Sequence, residues 1–264
     1  MHHGVPDVGL LTTAEMAEQV ARICAAVDIP VIVDGDELGG HVAAVARGLT
    51  LLERAGAAGL HIEDEQVPKH SAWRGGLVEV VEMQERIAAA VAARHDPDLV
   101  VIARCNELQN RAWYGEGAGT MGEMLRRATA YAEAGADLFL ANGATPDEID
   151  KIVGAVSVPV AAYRLPRDEA ARRGVSLSIF SGWAAAAAVE AHRQRVRMLF
   201  EDGDLPREPA AWSAGFGELA DESAFDAIVR GWAVRTGRST TEGVPGPRST
   251  SSGAPTEQKV GMAR

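Results

Sequence analysis

At 264 residues, 47% of them apolar, the chain can bury a substantial core as one large α/β domain or two small ones. Its 26 basic and 37 acidic residues give a formal charge of −11, which argues against a nucleic-acid partner or an anionic membrane surface. Cys24 and Cys105 lie far apart without a CxxC spacing, no long apolar run spans a bilayer, and no secretory signal opens the chain, so reduced thiols in a cytoplasmic protein are expected.

In chain order, Thr12 with Glu15 fits a capping box that opens a helix. A β-branched run follows at 31–34. Gly56 closes the next helix in the phrase Glu53-Arg54-Ala55-Gly56-Ala57, supplying a left-handed cap ahead of a strand at 59–63. A third apolar run lies at 99–104. Thr120 with Glu123 is a second capping box, and Gly135 repeats the glycine junction before a strand at 136–141. Thr145-Pro146-Asp147-Glu148 starts another helix with proline at its first position. Strands at 158–162 and 175–180 complete the pattern, and each run is continuously apolar, as when both faces of a parallel sheet are covered. A long helix is expected over 183–201 and a last apolar pattern over 225–232. From 236 to 264 the chain is rich in Ser, Thr, Gly and Pro and reads as a disordered tail, which leaves 1–235 for the barrel-type domain and its C-terminal helices.

Alternating strands and helices fit an open doubly wound sheet or a (β/α) barrel, and periodicity alone leaves both open. The strand ends carry the discriminating residues: Val33-Asp34-Gly35-Asp36-Glu37, Ile62-Glu63-Asp64-Glu65 and Ala103-Arg104-Cys105-Asn106-Glu107. Carboxylates from adjacent strand ends can converge on a hard, oxygen-loving cation, or can cap the following helices. An arginine emerging from a strand suits capture of a carboxylate, or a structural ion pair to Glu63 or Glu107.

Together these segments resemble the isocitrate lyase and phosphoenolpyruvate mutase superfamily. Pro30-Val31-Ile32-Val33-Asp34-Gly35-Asp36 is similar to its strand ending in Asp-Ala-Asp, and Gly59-Leu60-His61-Ile62-Glu63-Asp64 to the strand after it. Pro68-Lys69-His70-Ser71-Ala72-Trp73-Arg74-Gly75-Gly76 stands where that family has its gating loop. Ile102-Ala103-Arg104 matches a further strand, and Gly4-Val5-Pro6-Asp7-Val8-Gly9 the segment with a catalytic-site aspartate. The resemblance covers most of the chain from Gly4 to Phe200, closest to the 2-methylisocitrate lyase-like branch. It implies an α/β fold, a (β/α)8 TIM-type barrel with six strands recognisable and the first two missing. It further implies that Asp34 and Asp36 hold Mg²⁺, directly or through water, with Glu63 assisting. Asp7 would lie near the reacting carbon, Arg104 would grip a carboxylate, and Lys69 would offer positive charge to the leaving fragment from a closing loop. Members commonly exchange C-terminal helices, so a homo-oligomer, dimer or tetramer, is expected, with 225–232 as the exchanged helix.

The departures bear on substrate. Lyases of this family carry a loop cysteine as proton donor; Ser71 stands there, a poorer acid, and His70 is the alternative donor. Asn142 replaces a glutamate and Asn106 an aspartate, which makes the pocket less acidic and points away from isocitrate. Trp73, Trp113 and Tyr114 fit either a bulkier, more apolar side group or ordinary core packing. The family's Ser-Gly amide loop has no counterpart before Gly4, which implies a late start, completion by another chain, or a decayed enzyme. The resemblance therefore implies a Mg²⁺-dependent carbon–carbon lyase that cleaves a 2-hydroxy or alkylmalate-type acid through a pyruvate-type enolate. Phosphonopyruvate mutase or hydrolase chemistry is one alternative, and a degenerate barrel serving as a binding or structural subunit is another.

Overall fold

Helix starts in this chain are set by side chains that satisfy the first orphan N–H groups. The computed structural model describes residues 4–69, 76–115 and 117–204, together with 224, 226–228, 230 and 231. In α1 (Thr13–Ala26), Thr12 Oγ1 accepts from the Glu15 N–H at 3.3 Å while the Glu15 carboxylate accepts from the Thr12 N–H at 2.8 Å. In α6 (Pro146–Ala155), Thr145 and Glu148 form the same reciprocal pair, with Pro146 in the first turn. The box expected at α5 (Met121–Glu133) is only half formed. Thr120 Oγ1 accepts from Glu123, but the Glu123 carboxylate turns to Arg126 and Arg127, and the Thr120 N–H donates instead to Glu107 at 2.8 Å. Two guanidiniums within a helical turn outcompete one backbone donor for the same carboxylate.

Six strands alternate with these helices: β1 (Ile32–Asp34), β2 (Gly59–Glu63), β3 (Val100–Cys105), β4 (Leu138–Ala141), β5 (Val160–Tyr163) and β6 (Val175–Ile179). The remaining helices are α2 (Val42–Arg54), α3 (Val80–Ala93), α4 (Asn110–Tyr114), α7 (Arg167–Arg172) and α8 (Trp183–Asp202). The glycine junctions behave as expected: Gly56 and Gly135 follow α2 and α5 at φ of 98° and 100°. All neighbours pair in parallel, and the spatial order is β1 to β6 in chain sequence. A doubly wound sheet reverses its strand order at a switch point. Here the order never reverses, so the six units form a curled half-barrel, an incomplete TIM-type barrel.

Strand alternation sorts the side chains. Leu60, Ile62, Val101, Ala103, Phe139 and Val160 face the helices and join Leu49, Leu52, Met83, Ile87 and Tyr131 in the main core. Ile102, Leu140 and Ala161, with Leu138, Leu177 and Ile179 against them, form a smaller cluster on the other face. On that inner face the next position toward each carboxyl end is polar: Glu63 after His61, Arg104 after Ile102, Asn142 after Leu140, Tyr163 after Ala161.

The chain divides into two units, Met1–Ala186 and Ala187–Arg264. All six strands belong to the first. Helix α8 covers the expected 183–201 helix and buries none of its residues. Among the described residues no helix is long and apolar enough to cross a membrane. Residues 226–228, 230 and 231 are helical, whereas Phe225, Trp232 and the expected tail at 236–264 lie outside the described residues.

Candidate active site

Parallel register brings the strand-end charges together. Pairing of Asp34 with His61 and of Glu63 with Arg104 across β1, β2 and β3 stacks these four side chains at one end of the sheet. Arg104 spends all three nitrogens on this group: Nε donates to Asn106 Oδ1 at 3.0 Å, Nη1 approaches Asp34 at 3.4 Å, and Nη2 approaches Glu63 at 3.1 Å. Its guanidinium also lies 5.9 Å from the centre of the Tyr163 ring, a cation–π distance.

Lys69 enters from the loop after β2. Its side chain is 2% exposed, and Nζ sits 2.8 Å from Asp7, 2.5 Å from Asp36 and 3.2 Å from Glu63. Burial works against this ammonium, but Glu63, Asp36 and Asp7 hold its pKa far above the ordinary lysine value. One ammonium cannot neutralise three carboxylates. Burial, followed by the charge of Asp34, pushes the Asp36 carboxyl up to about 6 despite its bond to Lys69. Asp34 behaves oppositely: its surroundings disfavour charge, yet His61, Arg104 and Lys69 together hold it below the usual carboxylate value. Asp36 is also held at a positive φ of 48°, with its N–H donating to Asp34 Oδ1 at 3.2 Å.

Asn106 joins the charges from behind. It is fully buried; Nδ2 donates to Glu63 at 3.0 Å and Glu65 at 3.2 Å, while Oδ1 accepts from Arg104 Nε and from Asn142 Nδ2 at 2.7 Å. A further buried layer supports it. Asp64 accepts from the Asn106 N–H and the Tyr131 hydroxyl, and Arg127 donates to Asp64, Tyr131 and the Val78 carbonyl. Burial raises the Asp64 pKa even so.

Of the residues singled out from the sequence, Asp7, Asp34, Asp36, Glu63, Lys69 and Arg104 thus form one cluster. His70, Ser71 and Trp73 lie outside the described residues. Trp113 and Tyr114 meet each other edge to face at 6.4 Å on α4, and neither lines the cavity beside the cluster. That cavity, about 650 Å³, is lined by Asp7, Asp34, Arg104, Asn142, Tyr163 and Arg164, among others. Two participants, His61 and Arg164, escaped the sequence reading, and a third, Asn106, was noted there only as a replaced aspartate. His61 lies 3.4 Å from Asp34, and burial keeps its pKa below the ordinary value, so it faces Asp34 as a neutral ring near neutral pH. Its place two residues before Glu63 was the available signal, since both face the same way. Asn106 is a hydrogen-bond hub rather than just a missing carboxylate. Arg164 follows the last residue of β5, and an arginine directly after an apolar strand run was the available signal.

Among the described residues, no three His, Cys, Asp or Glu side chains stand ready around a common metal position. Asp7, Asp36 and Glu63 are gathered on Lys69 instead. The charge balance nevertheless fits a hard divalent cation: four carboxylates, Asp7, Asp34, Asp36 and Glu63, face two side-chain cations, Lys69 and Arg104, leaving two negative charges uncompensated.

Sequential βα units with charged groups collected at the strand carboxyl ends define a (β/α)-barrel type of enzyme. The family model for phosphoenolpyruvate phosphomutase matches residues 1–200, and the chain belongs to that family, within the isocitrate lyase and phosphoenolpyruvate mutase superfamily. Its relatives include an oxaloacetate decarboxylase of Rhodopseudomonas palustris (strain TIE-1), 35% identical over 211 residues that cover 77% of this chain and 70% of that protein. The fold is similar to a phosphonopyruvate hydrolase structure in complex with oxalate and Mg²⁺, at 32% identity and a TM-score of 0.72, covering 86% of this chain and 81% of the other. It is equally similar to 2,3-dimethylmalate lyase, at 27% identity and a TM-score of 0.72 over the same shares.

Proposed function

We propose that this chain is a Mg²⁺-dependent carbon–carbon lyase acting on a small 2-oxo or 2-hydroxy diacid, and that oxaloacetate is its first substrate to test. The observation that carries the reading is the cluster of four carboxylates and two cations, with Glu63, Lys69 and Arg104 buried and Asp7 and Asp34 exposed where they border the cavity beside Arg104. Asp34 and Asp36 would hold the metal with Glu63 assisting, and the metal, when bound, acts as a Lewis acid that stabilises an enolate oxygen. Asp36, raised to about 6, gives up its proton readily near neutral pH and so offers its carboxylate to a cation.

Arg104 orients what enters by presenting a guanidinium that Asn106, Asp34 and Glu63 prevent from swinging. Lys69 keeps a proton on Nζ throughout and supplies positive charge where negative charge moves. Loss of a carboxylate as CO₂ leaves an electron pair on the carbon beside the carbonyl without any prior proton removal. Two residues that line the cavity beside Arg104, Asn142 and Tyr163, suit that economy because a neutral amide and a phenol offer no strong base. His70, or Ser71 in the place of the family's loop cysteine, would then deliver the proton to that carbon.

Retro-aldol cleavage of an alkylmalate is the second reading, favoured by the similarity to 2,3-dimethylmalate lyase. It needs a base at the hydroxyl, and Asp7 at the cavity edge is the candidate. Assays with oxaloacetate, 2,3-dimethylmalate and phosphonopyruvate, each with and without Mg²⁺, separate the readings. Pyruvate release from oxaloacetate that needs Mg²⁺ and is lost in Asp34→Ala supports decarboxylation. Phosphate release from phosphonopyruvate with oxaloacetate untouched would transfer the site to phosphorus–carbon chemistry, and inactivity on all three would favour a binding or structural subunit. A cytoplasmic homo-oligomer is the setting we propose for it.

A further inference from the structure

We propose that Arg164 reads the distal anionic group of the substrate and thereby selects diacids over monoacids, an inference that rests on the enolate-lyase reading of the site. The cavity holds two arginines, and they are in different states. Arg104 has each guanidinium nitrogen directed at a protein oxygen. The guanidinium of Arg164, by contrast, makes no hydrogen bond or ion pair among the described residues, although it borders the same cavity.

The backbone around Arg164 is held firmly. Its φ is 58°, in the left-handed region that a long side chain seldom adopts. The strain is tied down at Arg164 itself and at the residue after it: the Arg164 N–H donates to the Ile179 carbonyl at 2.9 Å, and the Ser178 hydroxyl donates to the Leu165 carbonyl at 2.7 Å. A cation with no partner among the described residues, on a fixed, strained backbone and facing a polar cavity, is suited to an anionic group carried by the ligand. With the 2-oxo acid end of the substrate at Asp34 and Arg104, the anion that remains for Arg164 is a carboxylate or phosphonate at the other end.

The chemistry makes this contact recognisable. In a decarboxylation the distal carboxylate loses its charge as the carbon–carbon bond breaks and its electron pair moves to the neighbouring carbon. A contact to that charge is therefore stronger in the bound substrate than in the transition state, and its loss appears in KM, not as a fall in kcat.

The test compares wild type with Arg164→Asn, which tolerates the left-handed backbone, and Arg164→Lys, which keeps the charge. The readouts are kcat and KM for oxaloacetate and the inhibition constant of oxalate, which lacks a distal arm. We expect Arg164→Asn to raise KM by about tenfold or more, with kcat unchanged or higher, oxalate inhibition unchanged and Arg164→Lys partly restored. If turnover is found with phosphonopyruvate instead, the same shift in its KM identifies phosphonate as the group read. An unchanged KM in an active, oxalate-inhibited Arg164→Asn protein overturns the assignment of Arg164 alone. So does a weakened oxalate inhibition that tracks the KM change, because the arginine would then serve the common end. Wild-type protein that neither turns over these acids nor responds to oxalate overturns the enolate reading, and this inference with it.

Discussion

Asn106 shows how finely charge and hydrogen bonding are matched at single residues here. Its amide donates to two carboxylates and accepts from Arg104 and Asn142, so all its capacity is used without adding charge. Asn106→Asp would turn a donor into a third negative oxygen between Glu63 and Glu65. Hydrogen bonds to charged groups contribute about 1.5–3 kcal/mol each, so we expect a loss of roughly 2–4 kcal/mol at neutral pH, read from the urea midpoint and partly relieved in mild acid as the new carboxyl protonates. An equally stable variant would contradict the hub. Lys69→Met should be destabilising in chelator, because Asp7, Asp36 and Glu63 lose their shared cation, and the deficit should shrink in excess Mg²⁺; a deficit indifferent to Mg²⁺ would count against a metal among these carboxylates. Of the six clustered charges, Asp34, Asp36, Glu63 and Arg104 were legible in the sequence because they stand at the ends of apolar runs, whereas Asp7 and Lys69 came only from the family resemblance. What the six do to one another was not legible. That Lys69 reaches back 33 positions to Asp36, and that Arg104 pairs with Asp34 and Glu63, depends on strand register.

Elements were legible wherever local chemistry decides them. The 59–63 strand appears with the expected bounds, and the other five strands shift at their ends by one or two residues. Ends are set by pairing with a neighbour, which lies outside any local window. The half-formed box at Thr120 has the same origin, since Glu107 comes from another loop to take the N–H. At α6 the full box, reinforced by Arg111 at 2.7 Å from Glu148, gives a pH test. Burial opposes the Glu148 charge, but its bonds to Thr145 and Arg111 prevail and hold its pKa below the ordinary 4.5. A depressed folded value means that the stabilisation is present above 4.5 and fades as pH falls through the folded value. Glu148→Gln should therefore cost about 1 kcal/mol at pH 7 by chemical denaturation, with the gap to wild type closing in acid; a gap that widens in acid would contradict this sign. Gly143 makes a sharper demand on the β4 end. At φ of 76°, an added Cβ would stand 2.4 Å from the Gln109 nitrogen and 2.6 Å from its Cα. Backbone cannot yield cheaply, so Gly143→Ala should lower stability by several kcal/mol, on the order of 3, and disturb Asn142; a thermal midpoint within a degree of wild type would contradict the packing.

At the scale of the whole molecule, sequence-ordered parallel pairing is what separates an arc of barrel from a doubly wound sheet, and no local pattern carries that information. The resemblance of the strand ends supplied it instead, because only a barrel-type arrangement puts Asp7, Asp34, Glu63 and Arg104 around one opening. Among the described residues β1 and β6 each pair on one side only, and α8 exposes Val189, Val196, Leu199 and Phe200. Open edges and exposed apolar side chains favour association, so light scattering should give a mass at least twice the 27.8 kDa of one chain; a monomer at micromolar concentration would contradict that.

The central claim is that the clustered carboxylates complete an enolate site when a divalent cation arrives. Its most direct test is the thermal unfolding midpoint in chelator, in Mg²⁺, in oxalate, and in Mg²⁺ with oxalate. Oxalate mimics a pyruvate-type enolate, and a ligand at about 100 times its Kd stabilises the native state by about 2.7 kcal/mol. The account expects Mg²⁺ and oxalate together to raise the midpoint by several degrees beyond the sum of their separate effects, with Asp34→Ala abolishing the gain. Equal midpoints in all four conditions would contradict it.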